Sequence, residues 1–279
     1  MLNSLVSNSF RQWPADWRDC PRQIWRTVLV LLAFAAGMVL VVVLANRLLI
    51  PALKSTFSTI PPYAREVAQI LILGGAFGIG LWAAVRSKRL LHGPLSPSIW
   101  AAPGVRPRLS DALLSGALWL VLFLLSSVVT GLEEVRERLL AYDLWQWMLL
   151  GAVASVAIGV QATSEELIFR GYLLPSLASR LPIGIAALIS VLLFVAGHPG
   201  SGIYGTLGVA VFAIVFTMAV LQTGTVSYTA GAHVANNFAM FLLYPSVENA
   251  DATLLDLGLL SGSLVIWFLW VQRREAGRH

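Results

Sequence analysis

The sequence predicts an all-α fold, a polytopic membrane protein built as a bundle of about eight transmembrane helices. Three observations lead there. Hydrophobic residues make up 57% of the 279 residues and charged residues only 12%, against roughly 25% charged in an ordinary soluble domain. Mean hydropathy is +0.77 over the whole chain, so the apolar character is too extensive for a single anchor. Apolar runs recur along the chain, and no stretch between them is long enough to fold as a separate soluble domain.

The elements follow in order. Residues 1–27 read as a basic cytoplasmic tail, with Trp13, Trp17 and Trp25 spaced for a short interfacial helix or simply a solvated segment. The tail has no apolar run of the signal-peptide kind, so the first span, Val28–Ala45, is expected to persist as a signal anchor. A connection broken by Pro51, Pro61 and Pro62 leads to span 2, Val67–Val85, whose Gly74, Gly75, Gly78 and Gly80 suit close helix packing. Arg86–Ser110 reads as a polar cytoplasmic connection, and span 3 covers Ala112–Leu132. In the charged link that follows, Glu133 and Glu134 sit among Arg136, Glu137 and Arg138, which reads as a solvated helix end. Trp145–Ser179 is expected to be one long helix, tilted or broken, with Pro175 as a candidate kink. Ile183–His198, Ile203–Leu221, Val226–Tyr244 and Leu254–Val271 complete the spans. The multi-pass domain thus covers residues 28–272, with a core at about 144–244, and residues 273–279 form a basic tail.

Placing both termini in the cytoplasm puts fourteen of the nineteen Lys and Arg residues on that side, as the positive-inside bias requires. The net charge of +5 then serves topology and contact with lipid headgroups rather than nucleic-acid binding. The single cysteine, Cys20, reads as a free surface thiol.

Ionisable groups inside spans are expensive and usually functional, and three clusters stand out. The run TSEELIFRGYLL holds Glu165, Glu166 and Arg170; FVAGHPG holds His198; GAHVANNF holds His233 and Asn237. Glu165 lies 15 residues before Arg180 and His198 lies 17 residues after Leu181, so a helical hairpin turning there sets the two nearly level. Glu166 and Arg170, Phe194 and His198, and His233 and Asn237 are each four apart, hence on one helical face. Arg170 can therefore pair with Glu166. Glu165 points about 100° away and stays available as a base for water beside His198. His233 and Asn237 supply donors that suit an oxyanion, and together the groups suit hydrolysis of a peptide bond. The parity of spans points to access from the cytoplasmic half, although a kink in span 4 would shift the groups along the bundle and leaves the side of substrate entry open.

The ordered motifs Glu165-Glu166-x-x-x-Arg170, Phe194-x-x-x-His198 and His233-x-x-x-Asn237 resemble those of the CPBP intramembrane glutamic proteases. That family includes the CAAX prenyl endopeptidases and the bacteriocin-processing and immunity proteins. The resemblance covers roughly Val160–Phe241. It implies Glu165 as the catalytic glutamate with His198 assisting, Glu166 and Arg170 as supporting residues, and His233 with Asn237 as oxyanion stabilisers. It implies a membrane-associated protein or peptide substrate and no cofactor. Glu165, His198 and His233 also form a two-histidine, one-carboxylate set that could hold zinc, giving a metalloendopeptidase-like reading. The HExxH pattern is absent, however, and the resemblance implies chemistry without a metal. A proton-coupled carrier is disfavoured because the Glu-Glu motif has no repeat in a second half. A non-catalytic scaffold or immunity protein of the same fold is disfavoured by the intact motifs. His92 and His279 are assigned no role.

Overall fold

The structure, a computed structural model, describes residues 6–18, 24–45, 47, 61–93, 98–198, 202–244 and 252–278. The connection around Pro51, the thiol of Cys20 and His279 lie outside them. The described residues are helical apart from their turns and an isolated bridge between Ala101 and Thr225. In chain order the helices are α1 (Asn8–Arg18), α2 (Ile24–Leu44), α3 (Pro62–His92), α4 (Leu109–Thr130), α5 (Leu132–Leu140) and α6 (Leu144–Glu166). A π-helical segment, Leu167–Leu173, joins α6 to α7 (Leu174–Ala178). Then come α8 (Ile183–Ala196), α9 (Gly202–Thr223), α10 (Ser227–Leu243) and α11 (Leu254–Ala276).

Among the described residues six helices are long and apolar enough to cross a membrane, so the chain is a polytopic helical membrane protein. They are Trp25–Leu44, Pro62–His92, Leu109–Thr130, Leu144–Ala178, Gly202–Thr223 and Leu254–Ala276. The other two expected spans are shorter: α8 has 14 residues and α10 has 17. At about 1.5 Å per residue α8 reaches only about 21 Å, less than the ~30 Å hydrocarbon thickness. Helix α10 packs on α4 and α6, which buries His233, while its Asn236 and Asn237 are half-buried.

Glycine decides how closely these helices meet. A Cβ at Gly74 of α3 would lie 2.7 Å from the Ala157 Cβ of α6, and one at Gly37 of α2 would lie 2.9 Å from the Gly80 Cα. Gly75 has open space around it, so only part of the span 2 glycine cluster serves packing. At Gly231 of α10 a Cβ would run into the Ala112 carbonyl of α4, which is backbone and cannot rotate away. Gly231→Ala should therefore destabilise the fold by about 3 kcal/mol, against at most a small stabilisation for Gly159→Ala, whose Cβ meets nothing. Thermal unfolding of the two variants in detergent reads the difference.

Several segments expected as solvated loops or tails are packed on the bundle. Ser7 Oγ caps α1 by accepting from Phe10 N–H at 3.0 Å, and Phe10 and Trp13 are fully buried. The Trp13 indole donates to the Ser98 carbonyl at 2.9 Å. Helix α3 continues past Val85 to His92, so Arg86, Lys88 and Arg89 are helical rather than part of a loop. His92 is buried with its Nε2 3.0 Å from the Tyr172 hydroxyl, in contrast to the loop position expected for it. Residues 99–102 cross the same end of the bundle, where Ala102 N–H donates to Gly224 and Val226 N–H to Trp100. At the C-terminus Arg274 and Arg278 pair with Asp111, which is 2% exposed; these cations hold α11 to α4 as well as adding positive charge. At the opposite end Arg138 bridges Glu66, and the Tyr142 hydroxyl donates to Glu66 at 2.7 Å. Burial, and then this hydrogen bond, push the Tyr142 hydroxyl above its ordinary range, so it stays a donor. Glu133 pairs only with Arg136 in an exposed contact, as expected of a solvated helix end.

Candidate active site

Helix α6 starts with a capping box between Asp143 and Gln146 and runs unbroken to Glu166. There the helix widens: Leu174 N–H bonds back five residues to the Phe169 carbonyl, and Pro175 follows. The interruption anticipated at Pro175 thus takes the form of a π segment one turn earlier, a distortion often found at functional positions. Two contacts fix its place. Gly171 lies so close to the Ile99 carbonyl that a Cβ would collide with it, and Ser190 Oγ of α8 donates to the Phe169 carbonyl at 3.0 Å.

All six expected site residues meet here, carried by α6, the π segment, the turn after α8, and α10. Arg170 donates to Glu166 Oε1 at 3.1 Å, and both side chains are almost wholly buried. His233 Nδ1 lies 2.8 Å from the same Glu166 oxygen. Glu165 points elsewhere, as the helical offset requires. Its Oε1 accepts from Gln161, and its Oε2 lies 3.3 Å from His198 Nε2 and 3.5 Å from His233 Nε2. The hairpin count that set Glu165 level with His198 is matched by this contact.

Hydrogen-bond chemistry assigns the histidine protons. A carbonyl oxygen only accepts, so His198 Nδ1, 2.7 Å from the Phe194 carbonyl, carries hydrogen. Glu166, paired with Arg170, is an acceptor, so His233 Nδ1 carries hydrogen too. Each ring therefore presents Nε2 toward Glu165. Phe194 packs under the cluster: its ring stacks on His198 at 4.2 Å, and the Arg170 guanidinium lies over it at 4.0 Å.

Asn237 donates to Gln161 Oε1 at 3.0 Å, so one of its two amide hydrogens is already engaged. Gln161 was not among the expected residues, although it lies four before Glu165 on the same helical face. Asn236 and Trp119 extend the same chain of contacts: Asn236 donates to Asn237 Oδ1 at 3.0 Å, and Trp119 donates to Asn236 Oδ1 at 3.2 Å. No sequence spacing links Trp119 to the motifs. Among the described residues no group of three His, Cys, Asp or Glu side chains is arranged to hold a metal ion.

The histidines and asparagines of the cluster border a cavity of about 500 Å³, lined by His198, His233, Asn236, Asn237, Trp119 and Phe212 among others, with the two glutamates and Arg170 buried behind them. The cavity extends toward Gly131, Tyr244 and Asp256. That is the end of the bundle opposite the one holding α1 and Arg278.

Comparison with known proteins bears on the same segment. Residues 141–239 match a family model described as Type II CAAX prenyl endopeptidase Rce1-like. The uncharacterized protein YyaK of Bacillus subtilis (strain 168) is 32% identical over 103 residues, which is 34% of this chain and 33% of that protein. The alignment thus spans about a third of the curated relative's length. No solved structure matches. Neither comparison supports a metalloendopeptidase label. The resemblance first carried by three short motifs extends over residues 141–239, where the chain is similar to the type II CAAX prenyl endopeptidases and so to the CPBP family.

Proposed function

We propose that this protein is an intramembrane endopeptidase of the glutamic type, hydrolysing a peptide bond in a membrane-associated protein or peptide. One observation carries the reading: His198 Nε2 and His233 Nε2, from two residues that line a cavity in the bundle, converge on Glu165 Oε2, which is buried behind them. A water placed between Glu165 Oε2 and His198 Nε2 meets two proton acceptors, which suits it for deprotonation. Its oxygen adds to the scissile carbonyl carbon, and the proton passes to Glu165 Oε2. Glu166, itself paired with Arg170, holds the His233 ring through Nδ1 and so aims Nε2 at the developing oxyanion, where a hydrogen on that nitrogen donates. The second amide hydrogen of Asn237 is the other donor. When the intermediate collapses, the C–N bond breaks and the amine leaves with the proton held by Glu165 or His198.

The largely apolar wall of the cavity suits an apolar segment of substrate. Helix α1 and Arg278 share one end of the bundle, and the charge bias makes that end cytoplasmic. The test compares all new protein termini in membranes of cells expressing the native chain and Glu165→Gln. A small set of termini that disappears with Glu165→Gln supports the reading and names the substrate. Identical sets, in cells where deleting the protein still has a phenotype, would leave a scaffold or carrier as the account.

A further inference from the structure

The contacts of Trp119, Asn236, Asn237, Gln161 and Glu165 form one continuous chain, and its direction is fixed. An indole N–H can only donate, so Asn236 must present Oδ1 to Trp119, at 3.2 Å. That turns its amide nitrogen toward Asn237, which accepts through Oδ1 at 3.0 Å. Asn237 then donates through Nδ2 to Gln161 Oε1 at 3.0 Å. Gln161 is left with Nε2 facing Glu165 Oε1. Reversing any amide would set two donors or two acceptors face to face, and Trp119 cannot reverse at all. Gln161 is 7% exposed and, unlike Trp119, Asn236 and Asn237, does not border the cavity, so water is poorly placed to repair a mismatch at the link to Glu165.

We propose that this one-way chain from Trp119 makes Glu165 Oε1 an obligate acceptor and so confines the proton that Glu165 accepts to Oε2. Gln161, Asn236 and Trp119 are then positioning residues. They act through Glu165, whose Oε2 alone faces His198 and His233, with Glu166 and Arg170 as the other charged groups of the cluster. The proposal rests on Glu165 being the base, but it can be tested without turnover.

The closing experiment is infrared difference spectroscopy of the full chain in lipid bilayers across a pH series. The carboxylic C=O band of Glu165 is assigned by its absence in Glu165→Gln. With the proton on Oε2, the C=O is Oε1, held by Gln161. Gln161→Met should therefore move the band to higher frequency, and Trp119→Phe should move or broaden it in the same sense. A band unmoved in both folded variants overturns the proposal. If Gln161→Met does not fold, Gln161→Glu serves instead through its pH profile. In that variant a neutral carboxyl at position 161 can donate to Glu165, whereas an ionised one cannot. Where the peptidase reading holds, Gln161→Met lowers kcat about tenfold to a hundredfold with KM little changed. Gln161→Glu recovers toward native kcat as pH falls. Activity lost equally at every pH in Gln161→Glu would overturn the positioning role. Absence of cleavage by the native protein, with the band shift present, would instead count against the peptidase reading alone.

Discussion

Glu165→Gln should lower the rate of peptide cleavage by at least about a thousandfold while the protein stays folded. Glutamine keeps the shape of glutamate and can still meet Gln161 after an amide rotation, so little stability is at stake. What disappears is the acceptor that faces His198 Nε2 at 3.3 Å and His233 Nε2 at 3.5 Å. A neutral amide cannot take a proton from water at any accessible pH. His198→Ala should cost less, about a hundredfold, because Glu165 still accepts the proton and only its partner is removed. It also removes the ring stacked on Phe194. Single-turnover cleavage by purified protein, with the substrate found by terminal mapping, measures both. An equal loss in the two variants would argue that the carboxylate and imidazole act as one unit.

Arg170→Met should be the most damaging substitution for stability, at about 3–5 kcal/mol, because it leaves Glu166 charged in a site with no exposure. His233 remains beside Glu166, but one imidazole N–H does not replace a guanidinium charge. The double variant Arg170→Met with Glu166→Leu should regain a large part of the loss, since both charges have then gone. Arg170→Lys should fall between, because an ammonium loses the flat stacking over the Phe194 ring at 4.0 Å. Unfolding of the native chain, the single variants Arg170→Met and Glu166→Leu, and the double variant in detergent gives the coupling energy directly. A double variant no better than Arg170→Met would show that the cost lies in packing rather than in the unpaired carboxylate.

Much of the site was legible because it depends on local periodicity. The four-residue spacing of Glu166 and Arg170 predicts a pair, and the pair is present. The helical offset between Glu165 and Glu166 sends them to different partners, as found. The hairpin count places Glu165 level with His198 because both flanking helices rise by the same amount per residue. What escaped the sequence is set by distance along the chain. Trp119 meets Asn236 across 117 residues, and His92 meets Tyr172 across 80. No period relates such positions, and nothing in the run around Trp119 separates it from an interfacial tryptophan.

The sequence by itself determined the membrane class, the helical elements and the identity of the charged groups. Each of these follows from composition and short-range spacing, which act before any two helices meet. Only the tertiary structure decided that the tail around Phe10 and Trp13 packs on the bundle, and which donor faces each carboxylate oxygen. These outcomes depend on which helix backbones can approach, as Gly231 does at Ala112 and Gly171 at Ile99. They depend also on satisfying buried polar atoms across helices that are far apart in sequence.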